Sequence, residues 1–326
     1  MNYTWIYYTT PVYDCYRLFE RKWNMLLKAR TEPQELRIWR CLNGRMELSS
    51  EEKQQYLNLK KGFEGECKFD TLIASQESKF LILHDLLLDC NNNTFQIDSL
   101  LITEEMLIPF EVKNYEGDFY YQDDNFYTCS SNREITNPLH QLNRVETLLR
   151  QYLQKLGLHF SIKGFLVFIH AHFFLYQAPR NEKIIFSPQL DQLRKNLTSL
   201  PSRLSNQHQK LADLLIKGHI SNYSHKKLPN YQYDWLKKGI TCEVCLSFLT
   251  AISSRKMGCP KCRSHEKTED AIVRSIEEFR LLFPKKKITT NIIYDWCKDV
   301  KSKKMIQRIL KQNYKTIGRG QWSYYE

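Results

Sequence analysis

No stretch of this 326-residue chain stays apolar for the ~20 residues that a membrane-crossing helix needs. The longest candidate, Phe165 to Tyr176, is broken by His170 and His172, so a helical membrane span is excluded. No leader is expected either, since the aromatic amino terminus is interrupted by Asp14, Arg17 and Glu20 and has no basic-then-apolar layout. A cytoplasmic protein with no membrane partner is expected. No Gly-x4-Gly-Lys-Ser/Thr loop occurs, which disfavours an NTP-driven enzyme. Nor do the ten cysteines form a disulfide framework. Cys15, Cys41, Cys67, Cys90, Cys129 and Cys297 are scattered, whereas Cys242-x2-Cys245 and Cys259-x2-Cys262 have metal spacing. Acidic residues are outnumbered, 36 against 48 Lys and Arg, and the net charge of +12 points to a polyanionic partner. What remains is a hydrophobic content of 42%, ordinary for a globular protein, in a chain long enough for two or three domains.

The most informative stretch runs from Phe95 to Asn114. Phe95 to Ile102 and Leu107 to Asn114 are rich in β-formers and alternate with period two, which predicts an antiparallel hairpin around Thr103 to Met106. If Ile102 faces Leu107, then Asp98 faces Glu111 and Gln96 faces Lys113. Two carboxylates and an ammonium then share one face, while Phe95, Ile97, Leu101, Ile108, Phe110 and Val112 turn to the other and pack on helices. Opposed carboxylates repel unless a cation lies between them, and a hard divalent ion fits that place. The same residues also fit a solvated Glu-Lys-Asp cluster on an edge strand, a reading that Pro109 supports.

Asp98, twelve residues, then Glu111-Val112-Lys113 resembles the PD-(D/E)XK nuclease signature. Three further words, Lys61-Gly62-Phe63-Glu64-Gly65-Glu66, the strand Phe95 to Leu101 and Asn137-Pro138-Leu139-His140-Gln141-Leu142-Asn143-Arg144, are similar to one branch of it, the nuclease-related domain (NERD) family. The resemblance extends over roughly half the chain, about residues 50 to 200. It implies an α/β fold, a restriction-endonuclease-like mixed sheet flanked by helices, and phosphodiester hydrolysis with DNA as the favoured substrate. It also implies that Asp98 and Glu111 hold Mg2+ or Mn2+ and that Glu66 completes the site directly or through water. Lys113 would position the nucleophile and Gln141 would support the lysine or the substrate. A non-catalytic nucleic-acid-binding or regulatory protein that keeps this fold is the alternative.

Along the chain, residues 1–48 form an aromatic extension with a short helix near Pro33 to Cys41, and 49–216 form the nuclease-like domain. Within it a long helix ends near Ala74, Phe80 to Leu88 is a strand interrupted by His84-Asp85, and Phe119 to Cys129 adds another strand. Asn137 caps a helix that Gly157 ends, and Ile162 to Ile169 is a continuous buried strand. His170 and His172 are read as structural. Residues 217–238 are a linker, and 239–266 hold the four cysteines at the spacing of a structural four-thiolate zinc ribbon. Residues 267–326 read as helix, helix, helix and glycine-turned hairpin, similar to a winged helix that binds duplex DNA. From Phe283 onward eleven Lys or Arg stand against three acids. Lys303, Lys304, Gln307, Arg308 and Lys311 are expected on the outer side of the recognition helix, although a merely solvated charged face has the same pattern.

Overall fold

The computed structural model describes residues 26–74, 80–201, 203–221, 228–300 and 302–326. Cys15 and the aromatic arm from Trp5 to Trp23 lie outside the described residues. In chain order the elements are β1 (Leu26–Lys28), α1 (Gln34–Arg45), α2 (Ser50–Ala74), β2 (Leu81–Cys90), β3 (Asn93–Ile102), β4 (Met106–Lys113), β5 (Gly117–Gln122), β6 (Asn125–Thr128) and β7 (Glu134–Ile135). There follow α3 (Pro138–Lys155), β8 (Ser161–Ile162), β9 (Phe165–Phe168), β10 (Phe173–Tyr176), β11 (Ile184–Phe186), α4 (Leu190–Ser199) and α5 (Asn206–Lys217). The last are β12 (Thr250–Ala251), β13 (Lys256–Gly258), β14 (His265–Lys267), α6 (Thr268–Leu282), α7 (Thr290–Cys297), α8 (Lys303–Asn313), β15 (Thr316–Ile317) and β16 (Tyr324–Tyr325). The described residues fall into two compact units, 26–32 with 58–221 and 33–57 with 228–326. The division therefore runs through the expected amino-terminal extension and through α2.

In the first unit a seven-stranded mixed sheet has the order β1-β2-β3-β4-β9-β11, with β8 also on β4. Helices cover both faces, as the α/β reading requires. Val145, Leu149 and Leu153 of α3 and Leu211 and Leu215 of α5 pack with Leu100, Ile102 and Leu107. On the other side Phe69 and Ile73 of α2 and Leu193 and Leu197 of α4 pack with Leu101, Ile108, Phe110 and Val112. Asn137 caps α3 by accepting the Leu139 N–H, and Pro138 takes the first helical position, where no N–H is needed.

The hairpin β3–β4 has the expected register, with Ile102 opposite Leu107 and Ser99 opposite Phe110. One face assignment is corrected. Phe95 and Ile97 do not share a core with Leu101 and Phe110; they lie with Leu100 and Ile102 under α3. The alternation slips by one residue between Ile97 and Leu100, and β2 slips with it, because Leu81 and Leu83 share this core with Leu86 and Leu88. Asp85, at φ 51°, marks the slip in β2, and the ladder of β2 with β3 skips the Asp85–Asp98 pair. The interruption expected at His84-Asp85 is thus a paired irregularity in two neighbouring strands.

Phe119 to Cys129, expected as one strand, is a hairpin of β5 and β6 turning at Asp123 and Asp124, both at positive φ as a tight two-residue hairpin turn requires. It belongs to a second sheet, β10-β5-β6-β7, that begins where β4 and β9 end. Ile162 to Ile169 is likewise split into β8 and β9.

In the second unit one core runs from α1 through the cysteine-bearing loops to the last hairpin. Ile38 and Leu42 of α1 lie in the same cluster as Leu236, Ile240, Cys242, Cys259, Phe279, Trp296, Ile309 and Tyr325. Arg45 is buried in it, forking onto Glu278 at 2.7 Å through both Nε and Nη2 and donating to the carbonyls of Lys237 and Gly239. β12, β13 and β14 form a small antiparallel sheet beside the cysteines. β15 and β16 pair antiparallel, and Ile288, between α6 and α7, bridges to Tyr325.

Candidate active site and metal centre

The slip at Asp98 creates the site. Here β3 and β4 part: the ladder stops at Ser99 and Phe110, while Phe110 to Lys113 stay paired with β9. Asp98 Oδ2 fills the fork by accepting the Val112 N–H at 2.8 Å, and Asp98 is buried. Glu111, also buried, receives the Lys113 ammonium at 2.7 Å. Gln96, expected beside Lys113, is instead exposed and donates to Asp85 at 2.9 Å, because the slip turns the first half of β3 away. Glu66 approaches from α2.

These charges are coupled through a dry environment. Burial, then the charges of Glu111 and Glu66, push the Asp98 carboxyl well above the usual carboxylate range. Burial pushes Glu66 up to about 7, against the opposing pull of Arg30. Burial also works against the Lys113 ammonium, but Glu111, Tyr115 and Asp98 together outweigh it and hold that ammonium above its ordinary value. Two buried carboxylates near a third offer the oxygen donors that a hard divalent cation prefers, but among the described residues Asp98, Glu111 and Glu66 do not bring three carboxylate oxygens within 4.8 Å of one another. Gln141, in the first turn of α3, keeps its Oε1 buried without a hydrogen-bond partner.

Several contributors carry no motif. Arg30, 1% exposed, donates to Asp70 at 2.7 and 3.1 Å, to Glu66 at 2.5 Å and to the Asp98 carbonyl at 2.6 Å. Lys28, the last residue of β1, donates to the carbonyls of His84 and Asp85 at 2.8 and 2.7 Å. His84 Nδ1 lies 2.9 Å from Ser99 Oγ. The available signals were the alternation Lys28-Ala29-Arg30 and the Glu66–Asp70 spacing of four on a helix.

Residues 61–169 match the family model of the nuclease-related domain. The chain carries a nuclease-related domain. No curated protein and no solved structure matches it. Glu66, Asp98, Glu111, Lys113 and Gln141 all lie inside the matched segment of this domain, and Lys28 and Arg30 lie outside it. Two of its sequence words interlock. A Cβ on Gly65 would stand 2.4 Å from the Asn114 Cβ, so only glycine lets the end of β4 approach α2 here. Asn114 Nδ2 then donates to the Lys61 carbonyl at 2.7 Å, joining the Lys61 and Lys113 words.

Beyond the domain, the Sγ atoms of Cys242, Cys245, Cys259 and Cys262 all lie within 4.8 Å of one another, the only such group of three or more ligands among the described residues. Separations of 3.6 Å for Cys242–Cys262 and 3.3 Å for Cys245–Cys259 approach the roughly 3.8 Å of a tetrahedron with metal–sulfur bonds of about 2.3 Å. The cluster can therefore hold a metal ion. Each pair sits in the same turn: the Leu246 N–H donates to the Cys242 carbonyl and the Arg263 N–H to the Cys259 carbonyl, both at 3.0 Å. Leu246 and Arg263 have φ of 62° and 60°. The two knuckles thus repeat one backbone geometry without the glycine that usually marks it.

On α8, Ile306, Ile309 and Leu310 are buried, and Lys303, Lys304, Gln307, Arg308 and Lys311 are exposed. Arg308 is ion-paired with Glu269 at the start of α6. In the following hairpin, Trp322 is 82% exposed beside Arg319 and the positive-φ residues Gly318 and Gly320. Among the described residues no helix is long and apolar enough to cross a membrane.

Proposed function

We propose that the chain is a divalent-metal-dependent nuclease that hydrolyses phosphodiester bonds, with DNA as favoured substrate, and that its second unit targets nucleic acid. The observation that carries the reading is the placement of Asp98 and of the Glu111–Lys113 pair at the fork of β3 and β4, with Glu66 near enough for its charge to raise Asp98, all within the family-matched segment. Asp98 and Glu111 would hold Mg2+ or Mn2+, with Glu66 completing the acidic shell. A bound ion there would supply charge neutralisation at the phosphate and acidify a water. Lys113 stays cationic beside Glu111, so its part is to orient the attacking water and offset developing negative charge rather than to accept a proton. The unpartnered Gln141 Oε1 suits a supporting contact to the lysine or substrate.

Zinc is the ion proposed for the four thiolates, with a structural role, since Cys242 and Cys259 belong to the core of their unit. The order α6, Ile288 bridge, α7, α8, hairpin supports a winged helix, with α8 entering the major groove through Lys303, Lys304, Gln307 and Lys311. Arg308 would have to leave Glu269 to join them. Incubating the full-length protein with plasmid, linear duplex, single-stranded DNA and RNA, with and without Mg2+ or Mn2+, tests the reading. Metal-dependent cleavage that Asp98→Ala, Glu111→Ala and Lys113→Ala each abolish, with DNA binding retained, is expected. Cleavage of none of these substrates, or wild-type cleavage by Lys113→Ala, overturns it.

A further inference from the structure

We propose that Arg30 is the built-in counter-cation and positioning residue of the acidic site, and that it leaves the site with the charge for one divalent ion. The inference rests on the nuclease reading above. Arg30 comes from the segment after β1, outside the family-matched residues, yet its guanidinium is as buried as any core side chain. Nη1 holds Glu66 Oε2, Nε and Nη2 fork onto Asp70, and Nη2 also reaches the Asp98 carbonyl and, at 3.3 Å, Ser99 Oγ. Glu66 and Asp70 are four apart on α2 and so share one face of it. One planar group thereby ties that face to the peptide of Asp98, at the point where β3 slips and its ladder with β2 skips the Asp85–Asp98 pair. A carboxylate and a carbonyl are fixed together by the fork geometry, which a point charge such as lysine cannot reproduce.

The charges close on a single ion. With all four carboxylates ionised, as a bound cation requires, Glu66, Asp70, Asp98 and Glu111 supply four negative charges against the two positive charges of Arg30 and Lys113, a residue of −2. Next to them Lys28 offsets Asp85, and His84 is held neutral by burial. Arg30 thus occupies Glu66 where a second metal ion would otherwise be needed to satisfy it.

The test is a Mn2+ titration of the full-length, zinc-loaded protein followed by electron paramagnetic resonance, which needs no turnover. One Mn2+ per chain is expected, abolished in Asp98→Asn. In Arg30→Lys the stoichiometry stays at one while affinity falls about tenfold or more, the usual effect of losing a group that orients a metal ligand. Asp70→Asn, which loosens the Arg30 fork without touching a proposed ligand, weakens Mn2+ in the same direction and decides the matter if Arg30→Lys does not fold. A purely structural role would lower the melting temperature of both variants and leave Mn2+ affinity unchanged, and that result overturns the proposal. So do two Mn2+ per chain that are lost together in Asp98→Asn. Wild-type Mn2+ binding by Asp98→Asn would instead remove the metal site itself.

Discussion

Two glycines three residues apart on α2 should respond to alanine with opposite signs. Gly62 has nothing within 4 Å of the position a Cβ would take, so Gly62→Ala adds helix propensity without a clash. A gain of about 0.5–1 kcal/mol is expected. At Gly65 the same methyl would meet Asn114 Cβ at 2.4 Å and Cγ at 2.9 Å. Carbon atoms pack at about 3.5–4.0 Å, so α2 and the end of β4 must separate by more than 1 Å. The obstructing atom is a Cβ, fixed to the backbone, and no rotamer change removes it. Overpacking of this kind costs about 1–3 kcal/mol, and the propensity gain offsets only part of it, leaving Gly65→Ala roughly 1–2 kcal/mol less stable.

Urea unfolding of wild type, Gly62→Ala, Gly65→Ala and Gly65→Ala/Asn114→Gly measures this directly. The double variant should recover most of the loss, whereas Gly65→Ala/Asn114→Ala should not, because alanine keeps the obstructing Cβ. Cleavage should fall in Gly65→Ala as well, since Asn114 follows Lys113 directly. A Gly65→Ala midpoint equal to that of Gly62→Ala would refute the close approach, and with it the explanation of why the two sequence words occur together.

Elemental analysis should find one zinc per chain, and Cys259→Ser should release it and lower the melting temperature of the second unit while leaving the hydrolytic chemistry itself unaffected. His84 is pushed down to about 4 by burial, so it stays neutral in the folded state while its unfolded form gains a proton near pH 6.5. Its contribution is therefore complete above pH 6.5 and lost as pH falls towards 4. His84→Gln should remove a part of the acid sensitivity worth about 3 kcal/mol over that window, read as the difference between the two pH–stability curves; identical curves would contradict it. In the full-length chain Lys304→Gln should flatten the salt dependence of duplex binding by about one unit of slope, and Gln307→Ala should change any sequence preference instead. Unchanged salt slope and preference would take α8 out of the DNA interface.

Period-two alternation identified β3 and β4, and the short turn at Thr103 to Met106, setting Ile102 opposite Leu107, was enough to read their register. The same rule misplaced Phe95 and Ile97. It assumes an unbroken strand, and the slip at Asp98 is matched by Asp85 on a neighbour whose φ the sequence does not announce. The placement of Asp98 beside β4, at the fork that carries the Glu111–Lys113 pair, was legible through spacing. Arg30 was not, since its partners lie 36 to 69 residues away and its burial depends on all of them. The CxxC pairs were legible as one cluster that could hold a metal ion, but their sharing of a core with α1 was not, because α1 precedes them by some 200 positions.

That shared core changes how the carboxy-terminal residues must be tested. Taken as a sequence, residues 267–326 look like a self-contained domain. In the structure Glu278 of α6 is neutralised by Arg45 of α1, and Arg45 in turn holds the carbonyls of Lys237 and Gly239. A fragment beginning at 267 would strip Ile38, Leu42, Leu236, Ile240 and Leu249 from the core they share with α6 to α8, at about 2–5 kcal/mol for each large buried side chain lost. That is a large fraction of the ~5–15 kcal/mol that holds a typical domain together. Arg45→Met in the intact chain, which leaves Glu278 buried without its partner, should cost about 3–5 kcal/mol, and adding Glu278→Leu should restore only part of it. The carbonyls of Lys237 and Gly239 remain unpaired in the double variant, at about 1–3 kcal/mol for each buried acceptor. Complete recovery in Arg45→Met/Glu278→Leu would show that the pair, and not the whole fork, is what joins α1 to the cysteine-bearing half of its unit.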